Sequence, residues 1–319
     1  MKHTPWRRAL YVMGLVGGLA FFLRQVWLGW QAIELYNVRV LQPVYLVLAM
    51  LCCLALYALH MFAWTLLLRH LGSPIRLRQT FEGFMISFLP RYIPGSVWGY
   101  WSRSEWLDRT CGLSYRSSLF ASALEVLGLV LTGLMWVAAY ELQQGSGLVS
   151  IALGGGGVLL GGAALLLLPR LTTLLGGRFL RVQSGEPARR PAAAWVGVAA
   201  GYLGIWLAYG ASTLLVGSAI LPVSPGNLLA FTAASGVSWL TGLAIVIVPA
   251  GLGIREFTLA LLLRSFLGVP DWQGNLVALG SRLLLVLAEL FWLAVGLGSH
   301  LSRRHQALTS AKGIGHSRE

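Results

Sequence analysis

Apolar runs of about twenty residues recur along this chain of 319 residues, parted by short polar loops. That is the length an α-helix needs to cross about 30 Å of hydrocarbon at about 1.5 Å per residue. The pattern predicts full spans over about 9–29, 43–68, 117–140, 148–168, 193–217 and 275–298. Two further stretches are apolar but interrupted. Residues 79–102 carry Pro90, Pro94, Gly95 and Gly99, with Arg91 between the prolines. Residues 227–248 and 256–267 form two arms parted by Pro249, Gly251 and Gly253. Lipid offers no hydrogen-bond partner, so broken backbone at membrane depth is tolerable only inside protein or beside a wet cavity. Both stretches therefore read as re-entrant hairpins, with Ser96 and Leu252 near their tips. The expected fold class is an all-α polytopic membrane protein of six full spans plus two re-entrant helical hairpins.

The order of elements suggests a weak inverted repeat. Span, hairpin, span over about 43–140 matches span, hairpin, span over about 193–298. Gly95 precedes Glu125 by 30 residues and Gly251 precedes Arg282 by 31. The first unit enters its hairpin from one side of the membrane and the second from the other. Inverted repeats with broken helices at the midplane are how many transporters build a central site. Domain organisation follows as one transmembrane bundle over 1–302 and a basic cytoplasmic tail over 303–319.

Composition sharpens the setting. Only 11% of residues are charged and 56% are hydrophobic, with a mean hydropathy of +0.71. A soluble domain carries roughly 25% charge. Twenty-two of the 24 basic residues are Arg, against 11 acids, for a net charge of +13. These arginines lie in short loops between apolar runs rather than on a solvated face, which argues against nucleic acid and for the positive-inside rule. With the N-terminus inside, inner loops and tails hold 18 of the 24 basic residues, and Arg39 alone lies clearly outside. Both termini are expected in the cytoplasm. The start, with Lys2, Arg7 and Arg8 before an apolar run from Ala9, resembles a signal peptide but lacks a convincing small-residue cleavage site. It reads as a retained first helix. Cys52, Cys53 and Cys111 form neither a disulfide framework nor a zinc spacing.

Enzyme signals are poor. Walker A, HExxH, GxSxG and paired DxD sequences are lacking, GLGIRE has no strand–helix context for dinucleotide binding, and no cofactor or metal is implied. His60, alone within a span, reads more simply as a bond to a neighbouring helix than as a metal ligand. The run Gly154–Gly157 reads as close helix packing. The embedded charges are better candidates: Arg91, Glu125, Arg255, Glu256, Arg282 and Glu289 lie in or beside apolar segments. Each would cost about 2.5–3.5 kcal/mol at a helix centre. One reading pairs them with one another, such as Glu125 with Arg282 or Arg255, to hold the repeats together. The other has Arg91, Arg255 and Arg282, with backbone N–H groups at the broken helices, hold an anionic headgroup, which arginine's fork suits well; Arg103, Glu125 and Glu256 stand with them as candidate substrate-binding residues. Pro94, Gly95, Gly251 and Gly253 would shape the breaks and allow close backbone approach. Trp98, Tyr100, Trp101 and Trp106 crowd the first break, as interfacial anchors or as the lining of a headgroup path.

At these residues a family resemblance emerges. YIPGSVW followed by Arg103, and PAGLGIRE followed by a span holding Arg282, resemble the two signature regions of the lysylphosphatidylglycerol synthase transmembrane (flippase-like) family. The resemblance covers roughly residues 10–300 and implies a bacterial inner-membrane protein that moves lipid between leaflets. Members resemble the flippase part of bifunctional synthases that move aminoacylated phosphatidylglycerol. The chain is expected to be a stand-alone member without the soluble aminoacyl-transferase domain, and it has Glu125 in SALEVLG where relatives often carry an Arg and Asp pair. The identity of the lipid is therefore not carried over. The expected function is a flippase-like protein translocating an anionic phospholipid or lipid-linked headgroup, with membrane lipids as its partners. Two rivals stay open: a non-transporting membrane partner of envelope polysaccharide or glycolipid assembly enzymes, and a polyprenyl-phosphate-sugar transferase.

Overall fold

Residues 42–93, 97–145, 147–179, 192–245 and 248–315, with scattered positions between 16 and 34, are described by the computed structural model. The predicted first span, over 9–29, lies outside the described residues apart from those positions, as do Pro94 and Gly95. Nine helices of ten residues or more account for most of the rest, and no strand occurs among the described residues. They are α1 (Val44–His70), α2 (Leu77–Ile86), α3 (Trp98–Cys111), α4 (Tyr115–Gln144), α5 (Gly156–Phe179), α6 (Ala192–Ile220), α7 (Leu228–Ala244), α8 (Ile254–Leu267) and α9 (Asp271–Gly315). Five segments are long and apolar enough to cross a membrane: α1, α4, Leu148–Arg170, the bulk of α6, and α9 as far as Gly298. They coincide with five of the six predicted spans.

The centre of the molecule is the pairing of α1 with α6. Small residues permit it: a Cβ on Gly201 would lie 2.8 Å from the Cβ of Ala63. Without a hydrophobic drive between helices in lipid, such close backbone approach is what gains dispersion contacts. Trp64, Leu67, Val198 and Tyr202 fill the seam and are fully buried. On one side α4 packs against α6, on the other α9 packs against α1. The segment around α5 is peripheral, with Leu148, Leu159, Leu160 and Leu166 each more than 70% exposed, as a lipid-facing helix requires. It lies on α4 through Gly154 and Gly157, where an added Cβ would meet Ala138 at 2.7 Å, in keeping with the packing role expected of that run.

The two interrupted stretches become two helix–break–helix units. α2 and α3 pack on each other around a 3-10 turn at Pro90–Tyr92, and α7 and α8 around one at Pro249–Gly251. The two turns touch each other. Sequence reading ended the first unit at residue 102 and placed a polar stretch beyond it. Instead α3 runs on to Cys111, because its exposed charges pair within the helix, Arg109 with Glu105 at 2.5 Å, while Arg103 turns inward. That removes Arg103 from the 18 basic residues assigned to surface loops. The last helix does not end near 298 but continues through Gly315, into the segment expected as a tail.

The second break has the more demanding backbone. Pro249 ends the α7 approach, and then Ala250 (φ 49°), Gly251 (φ 67°) and Gly253 (φ 81°) all take positive φ. Two of these positions are glycine because L side chains clash there; Ala250 adopts it at a cost of about 1 kcal/mol. α8 then starts with Glu256 reaching back to accept the Gly253 N–H at 2.5 Å. α7 and α8 are tied by Ser238 Oγ donating to the Arg255 carbonyl at 2.8 Å and by Thr241 with Thr258 at 3.2 Å.

Candidate functional site

Where the two turns meet the α1–α6 pair, a cavity of about 130 Å³ opens, lined from eight of the helices and from both turns. Its apolar wall is Leu56, Phe84, Leu129, Ile205 and Leu285; Trp206, Tyr209 and Trp239 add aromatic faces. Into this wall project four arginines, Arg91, Arg103, Arg255 and Arg282, and the carboxylates Glu125 and Glu289. Glu256 stands directly behind Arg282. Charges this far from water are supported only by close partners, and the partners form three sets.

The first set is deepest. Arg103, 2% exposed, reaches from α3 to grip both oxygens of Glu125 on α4, and its Nη2 donates to Ser122 Oγ at 2.8 Å. The indole of Trp64 lies 3.7 Å from the guanidinium carbon, so the cation is held against a π face as well. His60 Nε2 on α1 is 2.7 Å from Glu125 Oε1. In the second set Glu289 of α9 accepts from Tyr57 (2.6 Å), Tyr92 (2.6 Å) and Arg91 (3.1 Å). In the third, Arg282 Nε of α9 lies 3.2 Å from Glu256 Oε1, and Arg282 Nη2 donates to the Ala250 carbonyl at 3.4 Å. That contact fastens α9 to the second break.

Arg255 stands apart. It makes no ion pair among the described residues; its buried Nε has no hydrogen-bond partner, a state shared by Arg103 Nε and Arg282 Nε, so the missing carboxylate is what distinguishes it. Its stem lies in a groove of bare backbone: an added Cβ on Gly242 would sit 2.5 Å from its Cγ, and one on Gly251 would sit 2.8 Å from its Nε. The guanidinium carbon is 5.8 Å from the centre of the Trp239 ring, at the cavity wall. Counting arginines and carboxylates alone, four against three leave one positive charge in excess, and Arg255 is the arginine without a carboxylate partner among the described residues.

The structure thus brings Arg91, Arg103, Glu125, Arg255 and Arg282 to one cavity, with Gly251, Gly253 and Glu256 beside it; Pro94 and Gly95 cannot be placed among the described residues. The pairing differs from that expected. Glu125 does not meet Arg282 or Arg255 but Arg103, an arginine that sequence counting had put at the surface. His60 does contact a neighbouring helix, yet it also lines the cavity. Of the aromatic cluster only Tyr100 faces the cavity; Trp98 stacks on Trp101 and Trp106 packs over Gly83. Sequence reasoning passed over Tyr57, Tyr92 and Gly242. A tyrosine in a span reads as an interfacial anchor, and a glycine as packing; only the geometry shows what each serves.

Several apolar spans, two broken helices in contact, and an arginine-rich cavity at their junction define a polytopic membrane protein with a charged cavity among its helices. The chain belongs to the lysylphosphatidylglycerol synthase TM region family, whose profile matches residues 9–292. A search of curated proteins gives no individual match.

Proposed function

We propose that this protein is a flippase-like protein of the bacterial inner membrane that moves an anionic phospholipid or lipid-linked headgroup between leaflets. The observation that carries the reading is Arg255, a cation at a cavity wall that forms no ion pair with a carboxylate among the described residues. An unpaired buried charge is costly, and an anionic headgroup entering the cavity would supply the missing partner. Family membership is consistent with a lipid-related role of this kind.

The two broken units suit the same reading. α2, α3 and α8 have 10, 14 and 14 residues, about 15–21 Å of helix at 1.5 Å per residue. Each is too short to cross alone, so we read both units as re-entrant, entering from opposite sides and meeting at their turns. With six spans and an inverted repeat, both termini are cytoplasmic. The cavity accommodates a phosphate and a few waters rather than a whole lipid, so acyl chains would remain outside it and movement would require one unit to shift against the other. Scrambling of labelled phospholipids in proteoliposomes tests the proposal. Faster equilibration than in empty vesicles is expected. Wild-type vesicles that scramble no lipid class faster would favour a non-transporting partner of envelope glycolipid assembly.

A further inference from the structure

We infer that the headgroup taken by this cavity is a phosphate diester of single negative charge with no cationic substituent, which is a narrower class than anionic lipid. The inference rests on the site reading above and deepens it. It follows from which charges are already committed. Both oxygens of Glu125 are held by Arg103. Both oxygens of Glu289 accept hydrogen bonds, one from Tyr57 and Arg91 and the other from Tyr92. Glu256 accepts from the Gly253 N–H on one oxygen and faces Arg282 Nε at 3.2 Å with the other. Each of the three carboxylates thus already faces an arginine, and an entering ammonium group would have to share or displace that partner.

The cations are not symmetrically committed. Three arginines have carboxylate partners, and Arg255 does not. One phosphate diester brings one negative charge and makes the cluster neutral. A headgroup carrying lysine adds two ammonium groups to that phosphate, so its net charge is positive and the loaded site would hold two uncompensated cations at low dielectric. A diphosphate overshoots in the other direction, leaving anionic charge that no further cation of the cluster meets. Arginine's planar fork can offer two parallel donors to the two free oxygens of such a phosphate, and the charge balance is what separates the diester from a diphosphate. Two lipid types present this chemistry, an unmodified glycerophospholipid such as phosphatidylglycerol and a polyprenyl-phosphate sugar.

The test is binding to the full chain in neutral detergent, read by native mass spectrometry and by thermal stabilisation. The probes are phosphatidylglycerol, a polyprenyl-phosphate sugar, phosphatidylethanolamine, a polyprenyl diphosphate and lysylphosphatidylglycerol. One or both monoanionic diesters should bind about tenfold or more tightly than each of the other three, and comparison of the two diesters identifies the source. Arg255→Gln should abolish that preference, while Arg255→Lys should keep its direction with weaker binding. Lysylphosphatidylglycerol bound as tightly as phosphatidylglycerol would overturn the inference. So would a folded Arg255→Gln or Arg255→Lys variant whose preference departs from these expectations. Selective binding by a protein that scrambles nothing would refute transport and leave the headgroup assignment standing; scrambling without charge preference would do the reverse.

Discussion

Arg255 and Arg282 sit at the same break, and their surroundings give them opposite expected phenotypes. Arg282 is 6% exposed and opposes Glu256, which is 3% exposed. Arg282→Ala would strand that carboxylate, at a cost of about 3–5 kcal/mol, and should be visible as a lower Tm in detergent and less protein in the membrane. Arg255→Ala strands no carboxylate, so its folded yield and Tm should stay close to wild type. Gly242 gives an independent handle. In Gly242→Ala the new Cβ would overlap the Arg255 stem, so overpacking should cost about 1–3 kcal/mol and displace the guanidinium. Weakened phosphatidylglycerol binding in folded Gly242→Ala would show the displacement; unchanged binding would mean the groove does not position Arg255.

At the scale of elements, legibility in the sequence followed the physics that wrote it. Long apolar runs place α1, α4 and α6 within a few residues and the start of α9 likewise, because hydrocarbon thickness sets the length of a span; the continuation of α9 to Gly315 lies beyond its apolar run and leaves no such mark. The breaks were legible through Pro90, Pro249, Gly251 and Gly253, which forbid continued helix. The end of α3 was not, because Glu105, Asp108 and Arg109 look like a loop when read as polar residues and only their helical spacing shows intrahelical pairing. Arg103 is legible as a candidate site residue but not as a buried one: the charge count places it in a surface loop, and its burial depends on Trp64, Ser122 and Glu125 from other elements. Charge partners generally escaped, since pairing is a property of the fold, as with Arg91 and Glu289, 198 residues apart. The contact between the breaks can be tested directly. With Cys52, Cys53 and Cys111 replaced, cysteines at Ile93 and Leu252, which flank the touching turns, should be joined by a short bifunctional reagent. Absence of any crosslink in folded protein would contradict the packing.

For the molecule as a whole, two broken units meet at a charged cavity beside the closely packed α1–α6 pair. The ion pairs tie elements on both sides of that cavity: Arg103 to Glu125 joins α3 to α4, Arg91 to Glu289 joins the first turn to α9, and Glu256 to Arg282 joins α8 to α9. Any movement that admits a headgroup must keep or exchange these partners, which makes the surplus cation the natural point of entry. The basic loops predict the frame in which that happens. A reporter fused to the C-terminus should report from the cytoplasm, and a periplasmic signal would overturn the inverted arrangement. The central claim, that Arg255 holds an anionic headgroup during movement, is met most directly by scrambling of labelled phosphatidylglycerol in proteoliposomes containing equal amounts of folded wild type, Arg255→Ala and Arg255→Lys. The account predicts wild-type movement well above empty vesicles, loss in Arg255→Ala at unchanged Tm, and partial recovery in Arg255→Lys, because a point charge reproduces attraction but not the bidentate grip. Arg255→Ala scrambling at the wild-type rate would contradict it.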